Sequence, residues 1–313
     1  MPELPEVETV RQGLNQQTLN QVIGGGDVLL DRTIAYPFSA NEFLAQLKNT
    51  AIAGWHRRGK YLLAELSQCD RGQELGIRRE ELSPQIYPDE NNLKSKLQNP
   101  QSTNAGWLGV HLRMTGQLLW LDRAEPLQKH TRVRLFFPNN RELRFVDQRT
   151  FGQMWWVPPS KAPETIITGL QKLGPEPFWA DFSLEYLAEK LRNRQSSIKA
   201  ALLDQTLVAG VGNIYADEAL FLSGIRPNTR CSALKLDQIE RIRTNIIQVL
   251  QTAIEAGGTT FSDFLSVLGV NGNYGRVAWV YGRTDAPCRV CSTPLIRLKL
   301  AGRSSHFCPK CQQ

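Results

Sequence analysis

Apolar residues recur at Leu4, Val7, Val10 and Leu14, a spacing of three and four positions that lays them along one face of an opening helix. Beyond it the period shortens. Apolar and β-favouring runs at 28–30, 61–66, 107–112, 117–121, 132–137 and 142–146 are separated by turn residues such as Thr115-Gly116 and Asn139-Asn140. That texture predicts an antiparallel β-sandwich or barrel. From Phe182 onward a helical period returns, at 184–192, 197–203, 214–222 and 236–256. In the link between the second and third of these helices, Gly210 and Gly212 mark a turn and Asn213 stands where an N-cap is expected. A glycine turn opening a helix leaves backbone N–H groups free for a phosphate, or is simply the corner of a helical hairpin. Residues 68–105 interrupt the strand pattern with a polar, charged stretch holding three prolines and no period, which reads as a solvated, flexible insertion.

Composition narrows the class. With 41% hydrophobic residues over 313 positions, the chain can bury a sizeable core divided among two or three domains. A net charge of +7 favours a polyanionic partner. The sequence has no apolar stretch of membrane-spanning length, and it opens with Glu3, Glu6 and Glu8 where a signal peptide would be basic and then apolar. The expectation is a soluble, cytoplasmic protein and, with no sign of oligomerisation, a monomer.

Four of the six cysteines change the picture at the end of the chain. Cys288, Cys291, Cys308 and Cys311 form C-x2-C-x16-C-x2-C, a spacing that brings four thiolates around one structural Zn²⁺ and supplies folding energy to a segment too short for its own core. A pair of disulfides is the competing reading, disfavoured in a reducing compartment. Cys69 and Cys231 lie outside the pattern. His306 is near the last pair, but four cysteines already satisfy the metal.

The start of the chain carries a second candidate chemistry. Removal of Met1 would turn Pro2 into a free secondary amine, whose reference pKa of about 8 leaves a usable unprotonated fraction at neutral pH. Attack on an aldehyde-level carbon would give a cationic iminium, an electron sink for later eliminations. The plainer reading is a proline opening a helix, and the two are compatible.

Several long motifs occur in one order: Pro-Glu-Leu-Pro-Glu-Val-Glu-Thr-Val from Pro2, Arg57-Arg58-Gly59-Lys60-Tyr61-Leu62-Leu63, His111-Leu112-Arg113-Met114-Thr115-Gly116, Asp147-Gln148-Arg149-Thr150-Phe151-Gly152, Gly210-Val211-Gly212-Asn213-Ile214-Tyr215, and the cysteine pairs. Together they resemble the formamidopyrimidine-DNA glycosylase family over the whole chain except the insertion. The resemblance implies an α+β multidomain fold. An N-terminal antiparallel β-sandwich with a leading helix would span 2–165, a helix-two-turn-helix domain 166–277, and a zinc finger 278–313. It implies a base-excision glycosylase and abasic-site lyase acting on oxidised purines in damaged double-stranded DNA, held between the halves of the protein.

By that resemblance, Pro2 attacks C1′ and Glu3 shuttles the proton that opens the sugar, while Glu6 orders the site. Lys60 serves the lesion and β-elimination, and Arg303 serves a phosphate and δ-elimination. Met114, Arg149 and Phe151 fill the vacancy left by the extruded nucleotide. His130, Arg194, Lys199 and Asn213 contact phosphates, and 257–276, with Tyr274, closes over the base. Arg113, Gln148 and Thr150 depart from the family's common glycine, proline and second arginine. Two other readings remain: the sister enzyme for oxidised pyrimidines, whose opening differs, and a DNA-binding protein without catalysis.

Overall fold

The computed structural model describes residues 1–68, 104–259, 265–300 and 302–313. The predicted insertion therefore lies almost wholly outside the described residues, as does part of the segment assigned to base closure. The chain forms two compact units. One comprises Met1–Pro2, Val7–Gln171 and Leu265–Val270; the other comprises Glu3–Glu6, Lys172–Phe264 and Asn271–Gln313.

In the first unit, helix α1 (Leu4–Thr18, its first turn counted with the second unit) leads into strands β1 (Gly25–Val28) and β2 (Ile34–Tyr36). Helix α2 (Ala40–Leu47) follows, its first turn capped by Ser39, whose Oγ accepts from Glu42 N. Strands β3 (Thr50–Arg58), β4 (Tyr61–Gln68), β5 (Asn104–His111), β6 (Gly116–Asp122), β7 (Thr131–Phe137), β8 (Arg141–Asp147) and β9 (Gln153–Val157) complete two sheets, before the short helices α3 (Pro163–Ile166) and α4 (Thr168–Gln171). The sheets run β2-β9-β5-β4-β3 and β1-β7-β8-β6. All pairs are antiparallel except β2 with β9, a departure from the uniformly antiparallel expectation.

Burial explains the strands. In β7 buried and partly exposed positions alternate without a break, as in a strand with one wet face, whereas β5 is buried at seven consecutive positions, as befits a central strand covered on both faces. Three strands escaped the sequence pattern. β2 is only three residues long, β9 reads as a tryptophan-rich tail, and β3 carries a register shift between Ile52 and Gly54 that breaks its alternation. β1 lies earlier than the predicted 28–30, because pairing with β7 recruits two glycines of low strand propensity.

The second unit contains helices α5 (Leu184–Leu191), α6 (Ile198–Leu202), α7 (Asn213–Ser223) and α8 (Leu236–Glu255), and the hairpin of β10 (Ile296–Leu300) and β11 (Arg303–Phe307). Serines 183 and 197 cap α5 and α6, and α7 ends on Gly224 in the left-handed region at φ 71°. α7 is buried almost all round, the mark of a helix at the centre of a cluster. The cysteine segment packs on its end: Phe221, Val280, Cys288, Leu295 and Cys308 form one small core, with Trp279 stacked on Phe221. Gln312 ties the chain end to the same place, its Nε2 donating to the Ile225 carbonyl at 2.7 Å and its Oε1 accepting from Cys308 N at 2.8 Å.

Candidate active site and metal centre

Pro2 is buried, and it is counted with the first unit while its neighbour Glu3 is counted with the second. Glu3 is 2% exposed, and its carboxylate accepts from the backbone N–H groups of Ile214 at 3.0 Å and Tyr215 at 3.5 Å. These are donors of the first turn of α7, so the anion that meets this helix terminus is Glu3 itself. The N-cap is Gly212, not Asn213, which is already helical. Gly212 is required for space: a Cβ there would lie 2.2 Å from the Glu3 carboxyl carbon. Gly212→Ala is therefore expected to evict the carboxylate and uncap α7. The cost of about 1–2 kcal/mol should lower the melting temperature by about 2–8 °C in a thermal denaturation scan.

Glu6 holds Glu3 from the other side. Its Oε2 accepts from Glu3 N at 2.8 Å, and its Oε1 accepts from Thr259 N at 2.9 Å and from the Tyr215 hydroxyl. Burial, reinforced by the Glu3 charge, pushes the Glu6 carboxyl up to about 7. Glu6 thus fixes the backbone at Glu3 from one turn further along the chain.

In the first unit, Lys60 occupies the two-residue turn between β3 and β4, after Gly59 at φ 57°. It is 6% exposed. Three residues before it, Arg57 is internal. Its Nε donates to Glu8 Oε2 at 2.9 Å and an Nη to the Gly59 carbonyl at 3.1 Å, so it pins α1 to the turn that carries Lys60. His111 is buried, and burial, Arg113 and Lys60 together drive its pKa down to about 3. The neutral ring accepts from Arg113 N through Nδ1 at 2.9 Å and so shapes the turn leading to Met114.

Met114 and Phe151 are 39% and 51% exposed, which rules out core roles. The Arg149 guanidinium lies 5.1 Å from the Phe151 ring centroid. Asp147 joins the two turns that carry them: its carboxylate accepts from the Thr115 hydroxyl, from Arg149 N at 3.2 Å and from Gly152 N at 2.7 Å. Sequence reasoning did not single out Asp147, although an aspartate before a glycine-ended turn is a signal of this kind of backbone capping. His130 is partly exposed and lies 3.2 Å from an Arg132 guanidinium nitrogen.

Among the residues assigned to phosphate, placement differs. Arg194 is partly exposed and paired with Asp204. The amide of Asn213 donates to the Tyr281 hydroxyl at 3.4 Å, and its buried Oδ1 has no hydrogen-bond partner. Lys199 is only 1% exposed; its ammonium sits 2.6 Å from Asp217 and donates to the Ser304 carbonyl at 2.7 Å. Asp217 also accepts from Ser305 Oγ at 3.0 Å and His306 N at 2.8 Å, so a buried aspartate and lysine align the strand that begins with exposed Arg303. Beside Asp217, Glu218 accepts from the N–H groups of Trp279, Val280 and Tyr281 at 2.7–2.9 Å. Tyr274, assigned to base closure, is buried with its hydroxyl on Glu218. Two acids inside an otherwise apolar helix were the missed signal for this latch.

The four cysteines of the C-terminal pattern converge, with their sulfurs all within 4.8 Å of one another. Cys288 to Cys311 is 3.9 Å and Cys291 to Cys308 is 3.4 Å. A tetrahedron with Zn–S bonds of about 2.3 Å has sulfur edges of about 3.8 Å, so the residues fit one structural zinc and leave His306 to Asp217.

The description "formamidopyrimidine-DNA glycosylase N-terminal domain" matches residues 1–154, the H2TH domain of the same enzymes matches 173–264, and the zinc finger found in FPG and IleRS matches 286–313. The formamidopyrimidine-DNA glycosylase of Nostoc punctiforme is 64% identical over 312 residues, covering 100% of this chain and 96% of that protein. That of Nostoc sp. is 61% identical, with 100% of both chains covered. Among solved structures, Lactococcus lactis Fpg in complex with DNA containing an abasic site superposes with a TM-score of 0.81 at 32% identity, covering 99% of each chain. A variant of that protein with DNA containing Fapy-dG gives 0.81 at 32% identity over 100% of each. Motif order, fold, zinc-fitting cysteines and full-length similarity converge: this chain belongs to the formamidopyrimidine-DNA glycosylase family.

Proposed function

We propose that this DNA glycosylase removes oxidised purines, 8-oxoguanine and formamidopyrimidines, from duplex DNA and then cleaves the abasic site by β,δ-elimination. The observation that carries the reading is the built surrounding of Glu3: a carboxylate one residue from a proline nucleophile, fixed by two backbone donors of α7 and by the neighbouring Glu6. A proton shuttle needs a defined position, and here it is part of the fold.

After Met1 removal, Pro2 attacks C1′ as the base leaves, and Glu3 carries the proton that opens the sugar ring. The resulting iminium makes the 2′ proton acidic; its loss to water puts the C–H electron pair into a C2′–C3′ double bond and expels the 3′ phosphate with the C3′–O pair, the β-elimination that Lys60 serves. Lys60 presents its ammonium to the lesion, and Arg303 binds the phosphate for the second elimination. Met114, Arg149 and Phe151 replace the extruded nucleotide, a role supported by their exposure on turns tied by Asp147. His130, Arg194 and Asn213 meet backbone phosphates. Lys199 acts through the strand it holds, as a positioning residue for Arg303. Zinc, when bound, holds the finger in one shape; it supplies no reactive centre. The domains extend over 2–165, 166–277 and 278–313, and the protein works as a cytoplasmic monomer.

Borohydride trapping on duplexes containing 8-oxoguanine, Fapy-dG, thymine glycol or no lesion tests the reading. A covalent adduct at Pro2 on the purine lesions, with a one-nucleotide gap flanked by phosphates without borohydride, is expected. Adduct on thymine glycol alone would assign the protein to the pyrimidine branch, and no adduct on any duplex would leave a DNA binder.

A further inference from the structure

Met114 and Phe151 line a cavity of about 500 Å³ together with Arg32, Arg113 and Thr150. Arg32 comes from a single 3-10 turn (Asp31–Thr33) far from the others in sequence, and no motif drew attention to it. Its guanidinium donates to the Thr150 hydroxyl, although the side chain is otherwise exposed. Arg113 donates to Gln153 at 3.0 Å. Among the described residues, both guanidinia meet neutral acceptors and neither is paired with a carboxylate. With Arg149 over the Phe151 ring, three positive charges surround two exposed apolar side chains.

The anchoring contact is costly to maintain. Thr150 has φ 58°, a left-handed conformation that a β-branched residue rarely adopts, so the turn is held by its surroundings and the Arg32 bond is one of the constraints. A guanidinium held at one donor keeps its remaining N–H groups in a fixed fork, and less rotamer entropy is lost when it meets an anion. Un-neutralised charge, fixed geometry and an open cavity suit a phosphate oxygen pair.

We propose that Arg32 is a DNA backbone contact, gripping one phosphodiester beside the position filled by Met114, Arg149 and Phe151. The inference rests on the DNA-binding reading above. Its occupant is duplex DNA, since the neighbouring exposed Phe151 and Met114 are built to meet bases rather than a small anion.

The test is fluorescence anisotropy of the zinc-loaded, full-length protein on an undamaged duplex and on the same duplex with a tetrahydrofuran abasic analogue, across a salt series. For Arg32→Gln, which can still donate to Thr150, the slope of log K against log[salt] is expected to shrink by about 0.9 on both duplexes, one phosphate contact fewer. Arg32→Lys is expected to keep the wild-type slope. An unchanged slope in Arg32→Gln, or an equal loss in both variants, would overturn the proposal. Wild-type protein that does not prefer the lesion duplex would instead sink the glycosylase reading, while the slopes on undamaged duplex would still decide Arg32.

Discussion

Blocking the Pro2 nitrogen is expected to abolish the borohydride-trapped complex and to slow incision of lesion-containing duplex by about a thousand-fold or more. The cause is electronic. In a free secondary amine the nitrogen lone pair is available, and its reference pKa near 8 leaves it partly unprotonated at pH 7. In an amide the same pair is delocalised into the carbonyl and cannot form a bond to C1′. Either a preparation that retains Met1 or one acetylated at Pro2 serves. The measurement is adduct yield and single-turnover incision, with lesion-duplex affinity as control. Affinity should change little, since phosphate contacts carry most of it. Incision at the unmodified rate by the blocked protein would remove Pro2 from the mechanism.

The second large effect is expected from removing the metal. Four cysteines hold a segment whose shared core with α7 is small, namely Phe221, Val280, Leu295 and two of the ligands themselves. Structural zinc contributes about 10–16 kcal/mol to such segments, far more than that core alone can supply. Chelation, or Cys308→Ser, should therefore unfold 286–313 and release Trp279 from its stack on Phe221, read as a change in tryptophan emission. DNA affinity should fall at least about a hundred-fold as Arg303 loses its strand. The helices of the second unit should persist, because α7 and α8 have their own buried faces. Unchanged affinity after verified loss of zinc would show that the finger does not hold the DNA.

Legibility in the sequence followed the physics of each element. α1 was readable because four apolar residues at helical spacing all had to be buried, and each is at most 1% exposed. β7 was readable for the corresponding reason at period two, and β6 and β8 as short apolar runs buried at three and four consecutive positions. β2 and β9 were not, since a three-residue strand and a parallel partner owe their existence to neighbours distant in the chain. The same division runs through the site. Zinc ligands, Pro2 and Glu3 stood out by type and spacing. Asp147, Asp217, Glu218 and the Glu8–Arg57 pair did not, because a polar residue seen alone gives no sign of the buried donors it will meet.

Read alone, the chain determined its family, its helix-sandwich-helices-finger order, its metal and its candidate nucleophile, all of which are encoded in local residue type and spacing. Only the tertiary structure decided that Glu3 caps α7, that Lys199 faces Asp217, that Arg57 is internal and that Arg32 reaches Thr150. Whether a charge is solvated or buried and paired is a matter of what folds against it, and in each of these cases the partner lies at least eighteen residues away.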